Sequence, residues 1–252
     1  MTTSAAHYKT HLGPVYSWML GDLDAAFARG AREIDDLPLP TGAQISSGTG
    51  PRGVAVDLGA GLGLHALGLA RRGFEVVAID NCQALLDELK SRGGSLPITI
   101  HHGDLLEFRR FVPGQVQAIV CMGDTLTHLP ALSAVDSLLT AVAGALPRGG
   151  VFVATFRDYA SVELEGEQRF ILVRADESRI LTCFLEYQSH QVMVHDLLHE
   201  KEHGSWRQAV SSYPKLRLAP AWVMVKLSAL GFSVKRDGTA GGMVRIVATK
   251  NS

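Results

Sequence analysis

The order of apolar and polar positions predicts two kinds of sheet in one chain. From residue 54 to residue 156, short unbroken apolar runs alternate with stretches of helical period. Strands are expected at 54–58, 74–80, 98–101, 116–121 and 151–156, with helices at 64–72, 82–91 and 131–146. Strands apolar on both faces and joined through helices build a parallel sheet with βαβ units. After Tyr159 the pattern changes. Residues 170–173, 179–187, 191–198 and 206–213 are β-rich runs joined by polar turns, which reads as an antiparallel meander inserted into the α/β frame. A helix at 220–230, stopped by Gly231, and strands at 232–235 and 243–249 close the chain. At the other end, residues 1–36 read as helical, with Tyr8, Leu12, Tyr16 and Met19 as its aromatic and apolar positions. Leu37-Pro38-Leu39-Pro40 breaks that helix, and 46–53 reads as a Ser/Gly connector. The expected organisation is a single domain, 1–252. It comprises an N-terminal helical lid at 1–45, an α/β core at 50–159 and 218–252, and an antiparallel cap at 160–217.

Bulk properties narrow the function classes. A formal net charge of −1 lacks the clustered Lys and Arg that bulk nucleic-acid binding needs, so no nucleic-acid partner is expected. No apolar run reaches the ~20 residues of a membrane-spanning helix, and residues 1–10 show no basic-then-apolar leader pattern. The three cysteines, Cys82, Cys121 and Cys183, form no C-x-x-C pair, as expected of reduced thiols in a cytoplasmic protein. The sequence leaves a homo-oligomer open.

Chemistry concentrates where the first strand meets its helix. Asp57-Leu58-Gly59-Ala60-Gly61-Leu62-Gly63 forms a glycine turn, and the second strand ends on Asp80, followed by Asn81. Glycines there let the backbone approach a ligand, and the helix start offers unpaired N–H groups. An acid at the end of the second strand is placed to accept from a ribose diol, so this is a nucleoside site. The dinucleotide pattern G-x-G-x-x-G would need glycine where Leu64 stands.

The spacing D-x-G-x-G-x-G resembles the first motif of class I S-adenosylmethionine-dependent methyltransferases. That resemblance implies a Rossmann-like seven-stranded, mostly parallel sheet with flanking helices, an antiparallel β cap inserted after the fifth strand, and an N-terminal helical lid. It also implies S-adenosyl-L-methionine as cofactor. Asp57 would help hold the methionine ammonium, directly or through water, and Gly59, Ala60, Gly61, Gly63, Asp80 and Asn81 would surround the nucleoside. In His102-Gly103-Asp104-Leu105, Asp104 would accept from the adenine amino group and Leu105 would pack on the ring. The polar-turn reading of that segment stays open.

Two later segments resemble glycine/sarcosine N-methyltransferases. Cys121-Met122-Gly123-Asp124-Thr125-Leu126-Thr127-His128-Leu129 matches their loop after the fourth strand, with Asp124 where an asparagine is usual. Met122 and Gly123 would then lie beside the cofactor, with Asp124 and His128 facing the acceptor. Both residues also suit caps for the helix starting near Pro130. In Phe156-Arg157-Asp158-Tyr159, Arg157 would inherit the role of binding a substrate carboxylate, and Tyr159 would stand beside it. A surface ion pair of Arg157 with Asp158 or Glu163 fits equally. Tyr16 and Trp18 would close over the cofactor, or serve as core residues of an amphipathic helix.

His199-Glu200-Lys201-Glu202-His203 matches the zinc-hydrolase pattern H-E-x-x-H, and His195 extends it. It sits at the polar end of a β-like run, so a solvated turn is expected and no metal site. The expected function is methyl transfer from S-adenosylmethionine to a small-molecule acceptor, with nitrogen favoured over oxygen. A noncatalytic nucleoside-binding protein and a nicotinamide-dependent oxidoreductase are the alternatives.

Overall fold

The computed structural model describes residues 3–39, 53–112, 114–239 and 241–251. Most of the connector expected at 46–53 therefore lies outside the described residues.

The amino-terminal region is helical in pieces rather than as one rod. Helix α1 (Ser4–His7) runs through a π-helical turn (Tyr8–Leu12) and a 3-10 turn (Gly13–Val15) into α2 (Tyr16–Leu20). Pro14 has no N–H to donate into the preceding turn, and Gly21, at φ +83°, ends α2. Helix α3 (Leu23–Asp35) restarts on Asp22, whose carboxylate accepts from the Ala25 N–H at 3.0 Å.

The core then alternates as its apolar runs require: β1 (Val54–Leu58), α4 (Leu64–Arg71), β2 (Glu75–Asp80), α5 (Gln83–Gly93), β3 (Ile98–His102), β4 (Ala118–Cys121), α6 (Leu132–Ala145) and β5 (Val151–Phe156). The cap follows as β6 (Phe170–Ala175), β7 (Arg179–Tyr187), β8 (Gln191–Glu202) and β9 (Ser205–Leu216). Helix α7 (Pro220–Ala229), β10 (Phe232–Gly238) and β11 (Val244–Lys250) return to the main sheet.

That sheet has seven strands in the order β10-β11-β5-β4-β1-β2-β3, with β11 antiparallel to both neighbours. All of β5 is buried, which is why its run is apolar without alternation. Val56, Ile119 and Phe152 face α6 and α7, while Ala55, Val120 and Val153 face α3, α4 and α5. Strand order reverses between β1 and β4, which opens a crevice beyond their carboxyl ends. Among the described residues, no helix is long and apolar enough to cross a membrane.

The cap is a second sheet, β6-β7-β8-β9, antiparallel throughout. On β7, Leu181, Cys183 and Leu185 are buried and their neighbours are not, the period-two signature of a one-sided sheet. Strands β8 and β9 run beyond the expected 191–198 and 206–213 because their polar ends still pair, Glu202 with Ser205 across the turn. The lid docks on this sheet through His7. Its Nδ1 is 2.8 Å from Ser211 Oγ, and its Nε2 lies 3.0 Å from Asp196 Oδ2, at ion-pair distance but outside hydrogen-bond angle.

Candidate active site

The strand ends at the crevice, the lid and β9 enclose a cavity of about 500 Å³. Gly59, Ala60, Gly61, Asp80, Asn81, Asp104 and Leu105 line one end. Met122, Gly123 and Thr125 line the middle, and Tyr8, His128, Gln191 and Lys215 lie toward the cap, with Tyr16 also on the wall. Asp57, Gly63, Asp124, Arg157 and Tyr159 are not on the wall.

Backbone geometry makes the first end. Gly59 has φ +75°, and a Cβ there would sit 2.4 Å from Thr125 Cγ2. Gly63 has φ +94° and abuts the Leu89 side chain, so it is the packing glycine that seats α4 against α5. Gly61 N–H donates to Asp80 Oδ2 and Cys82 N–H to Asp80 Oδ1, each at 2.8 Å. Both carboxylate oxygens are thereby oriented, and each keeps a lone pair for a ligand. Burial raises the Asp80 pKa against those backbone donors. Asp57 lies behind the turn, buried, and its Oδ2 has no hydrogen-bond partner. Burial lifts its pKa to about 6, with His65 pulling the other way. Asp104 stands exposed at the rim, accepting from the Leu106 N–H at 2.9 Å.

Side chains from distant elements make the other end. Asp124 has φ +76° and is buried. Its Oδ1 accepts from Arg157 N–H at 2.9 Å and from Thr127 Oγ at 3.0 Å, and its Oδ2 accepts from Lys215 Nζ at 2.5 Å. Neither Asp124 nor His128 caps α6, which starts from Ala131 with no side-chain cap. Burial pushes the Asp124 pKa up, but the Lys215 ammonium and the other partners outweigh it and hold the group as a carboxylate. Burial likewise opposes charge on Lys215, and Asp124 reverses that, leaving the pKa well above the usual lysine value. Burial and the Lys215 charge push His128 down to about 3, so its imidazole is neutral.

Rings close this end. Tyr213 stacks between His7, with centroids 4.0 Å apart, and His128 at 5.6 Å, while Tyr8 meets His128 edge-on at 5.5 Å. Tyr159 is buried behind the wall, its phenol pushed up to about 12 by burial. Arg157 is exposed. The acids weighed as its ion-pair partners are engaged elsewhere, Asp158 with Arg236 and Glu163 with Arg217. Lys215 was missed by motif reading. Its one sequence signal is phase: on a strand it shares a face with Tyr213, whose partners point inward.

The H-E-x-x-H segment is not helical. Residues 199–202 belong to β8, and His203, at φ +49°, starts the turn into β9. His199 Nε2 contacts Gln208 Nε2 at 3.1 Å, and His195 sits between Ser212 and Glu186. A zinc helix would need both histidines on one helical face.

Comparison with known proteins agrees with this geometry. Residues 55–150 match a family model described as a methyltransferase domain. Glycine/sarcosine/dimethylglycine N-methyltransferase from Actinopolyspora halophila is 31% identical over 117 residues, 44% of this chain and 20% of that protein. The chain thus spans well under half the length of this relative. Among solved structures, the CcbJ methyltransferase from Streptomyces caelestis superposes with a TM-score of 0.74 at 17% identity, covering 99% of this chain and 100% of that one. CalS10 from Micromonospora echinaspora, an amino pentose methyltransferase solved with S-adenosylmethionine bound, gives a TM-score of 0.73 at 18% identity, covering 96% and 97%. Residues 55–150 thus match a methyltransferase domain, and the chain as a whole has the fold of the solved methyltransferases.

Proposed function

We propose that the protein transfers the methyl group of S-adenosylmethionine to the nitrogen of a small amine. The residues suit that cofactor on three counts: glycines whose Cβ atoms would fill the turn, an oriented Asp80 carboxylate, and the unpartnered Asp57 oxygen. Asp80 receives the ribose hydroxyls, Asp104 the adenine amino group, and Leu105 packs on the ring. Asp57 takes the methionine ammonium through a water, since it stands behind the wall. Met122, Gly123 and Tyr16 border the cofactor. When bound, S-adenosylmethionine supplies an electrophilic methyl group, so the protein's task is alignment and exclusion of water.

The choice of nitrogen rests on one observation: among the described residues, neither Asp124 nor His128 at the cap end is poised as a base. Lys215 Nζ, Arg157 N–H and Thr127 Oγ hold Asp124 as a weakly basic carboxylate, and a pKa of about 3 makes the His128 imidazole a weak base as well. An oxygen acceptor would need its proton removed, whereas an amine arriving as its free base does not. Tyr8 and His128, with Tyr213 stacked behind His128, shape the wall along which that amine lies.

Calorimetric titration with S-adenosylhomocysteine tests the cofactor assignment. Wild-type protein should bind it, and Asp80→Ala, which removes two oriented acceptors, should weaken binding about a hundredfold or more. Absence of wild-type binding would overturn the reading.

A further inference from the structure

Lys215 is the one cation of the cap that reaches the cavity wall, and Asp124 does not account for all of it. An ammonium carries three N–H donors. The described residues give Lys215 Nζ a single acceptor, Asp124 Oδ2, while its side chain is only 10% exposed. A buried donor left without a partner is costly, and more so when it bears a charge. The groups packed around the ammonium do not supply one. Tyr159 and Tyr213 present ring centres 5.8 Å from Nζ, and the Asp124 carboxylate already serves Arg157 N–H and Thr127 Oγ on its other oxygen. Arg157, which the resemblance after the fifth strand marks for a substrate carboxylate, is exposed and off the wall. The cavity therefore meets its second ligand with a lysine that has hydrogen bonds to give.

We infer that Lys215 is the acceptor-binding residue, and that the acceptor is a small amine bearing an anionic oxygen, carboxylate or phosphate, held on the Lys215 ammonium. This rests on the methyl-transfer reading above and specifies its substrate class. A charged partner suits the site because charge-assisted hydrogen bonds are the strong ones in a dry cavity. Asp124 fixes where the ammonium sits and keeps it charged. Much of a cavity of about 500 Å³ is taken by a cofactor, so the acceptor is small. The bond to Lys215 holds one end of it and leaves the amine lone pair to face the methyl group. The nitrogen would form its bond to the methyl carbon as the methyl–sulfur bond breaks, the sulfur keeping that electron pair, and the surplus proton on nitrogen would leave to water on release.

The test is a matched panel of short primary amines, each as carboxylate, phosphate ester and neutral carboxamide, assayed with wild-type protein and S-adenosylmethionine. The anionic members should exceed the carboxamides at least tenfold in kcat/KM, mostly through KM, and the better anion identifies the headgroup. Lys215→Met alone strands a buried carboxylate, so the informative variant is Lys215→Met/Asp124→Asn, which removes both charges together. It should bind S-adenosylhomocysteine within threefold of wild type while its preference for anionic members falls to parity. Equal turnover of carboxamides by wild type, or a preference that survives in the double variant, overturns the inference and leaves methyl transfer standing. Bound cofactor with no turnover of any amine overturns both the inference and the amine reading, while failure to bind S-adenosylhomocysteine overturns the cofactor assignment itself.

Discussion

At the glycine end of the cavity the contacts are local in sequence: Gly61 reaches Asp80 across 19 positions and Cys82 reaches it across two. At the cap end Lys215 meets Asp124 across 91 positions, and His7 meets Ser211 across 204. The first set consists of backbone donors on a carboxylate, held by parallel pairing of β1 and β2. The second consists of side chains from the lid, the loop after β4 and the cap. A site made of backbone tolerates little change, because moving it moves the sheet. A site made of side chains on an inserted sheet can be rebuilt without disturbing the core. On the proposed function, cofactor binding belongs to the frame and acceptor choice to the insertion.

The largest expected effect strikes the cap end. Asp124→Ala would leave the Lys215 ammonium buried and unpaired, and should cost about 3–5 kcal/mol in a urea-unfolding measurement. A loss under about 1 kcal/mol would mean the ammonium relaxes into water, and the contrast between a fixed cap pair and a fixed glycine end would weaken.

Asp57 gives an opposite, slightly smaller effect at the glycine end. Its folded-state pKa of about 6 is above the usual 3.8, so its contribution to stability is full below about pH 4 and is lost as pH rises through 6. Asp57→Asn removes that loss. It should stabilise the ligand-free protein by up to about 3 kcal/mol above pH 6, with little difference near pH 4, while weakening S-adenosylhomocysteine binding. Wild-type cofactor affinity should itself fall as pH drops through 6, when the carboxylate is neutralised. Thermal melts and titrations across that range read both, and an unchanged melting temperature above pH 6 would remove the stored cost assigned to Asp57.

The smallest effect concerns His128. With its pKa near 3, it adds no ionisation between pH 5 and 8. His128→Gln should lower kcat/KM by less than about tenfold and leave the shape of its pH profile unchanged, the rise with pH belonging to the amine itself. A limb near pH 6.5 present in wild type and absent in the variant would make His128 a base and return oxygen acceptors to contention.

The sheet was legible because its signals are local and redundant. Strands 54–58, 151–156 and 179–187 stand where their apolar patterns put them. The glycine turn was legible for the same reason, since φ above zero strongly favours glycine. What lies around Asp124 was not. The Cys121–Leu129 pattern marked the loop as a site, yet it drew Asp124 toward the acceptor, whereas the fold turns it onto Arg157 N–H and Lys215. Arg157 carried the expected anion-binding role and stands outside the cavity, while Lys215, inside a strand with no motif, lines it.

The sequence by itself therefore determined the parallel sheet, the inserted antiparallel cap and the glycine end of the cavity, because each follows from periodicity or from a backbone conformation only certain residues favour. Tertiary structure alone decided which side chains line the cap end of the cavity. Burial, together with Lys215 brought across 91 positions to Asp124, sets the charge of Asp124, Lys215 and His128, and neither is written in the spacing of any one segment.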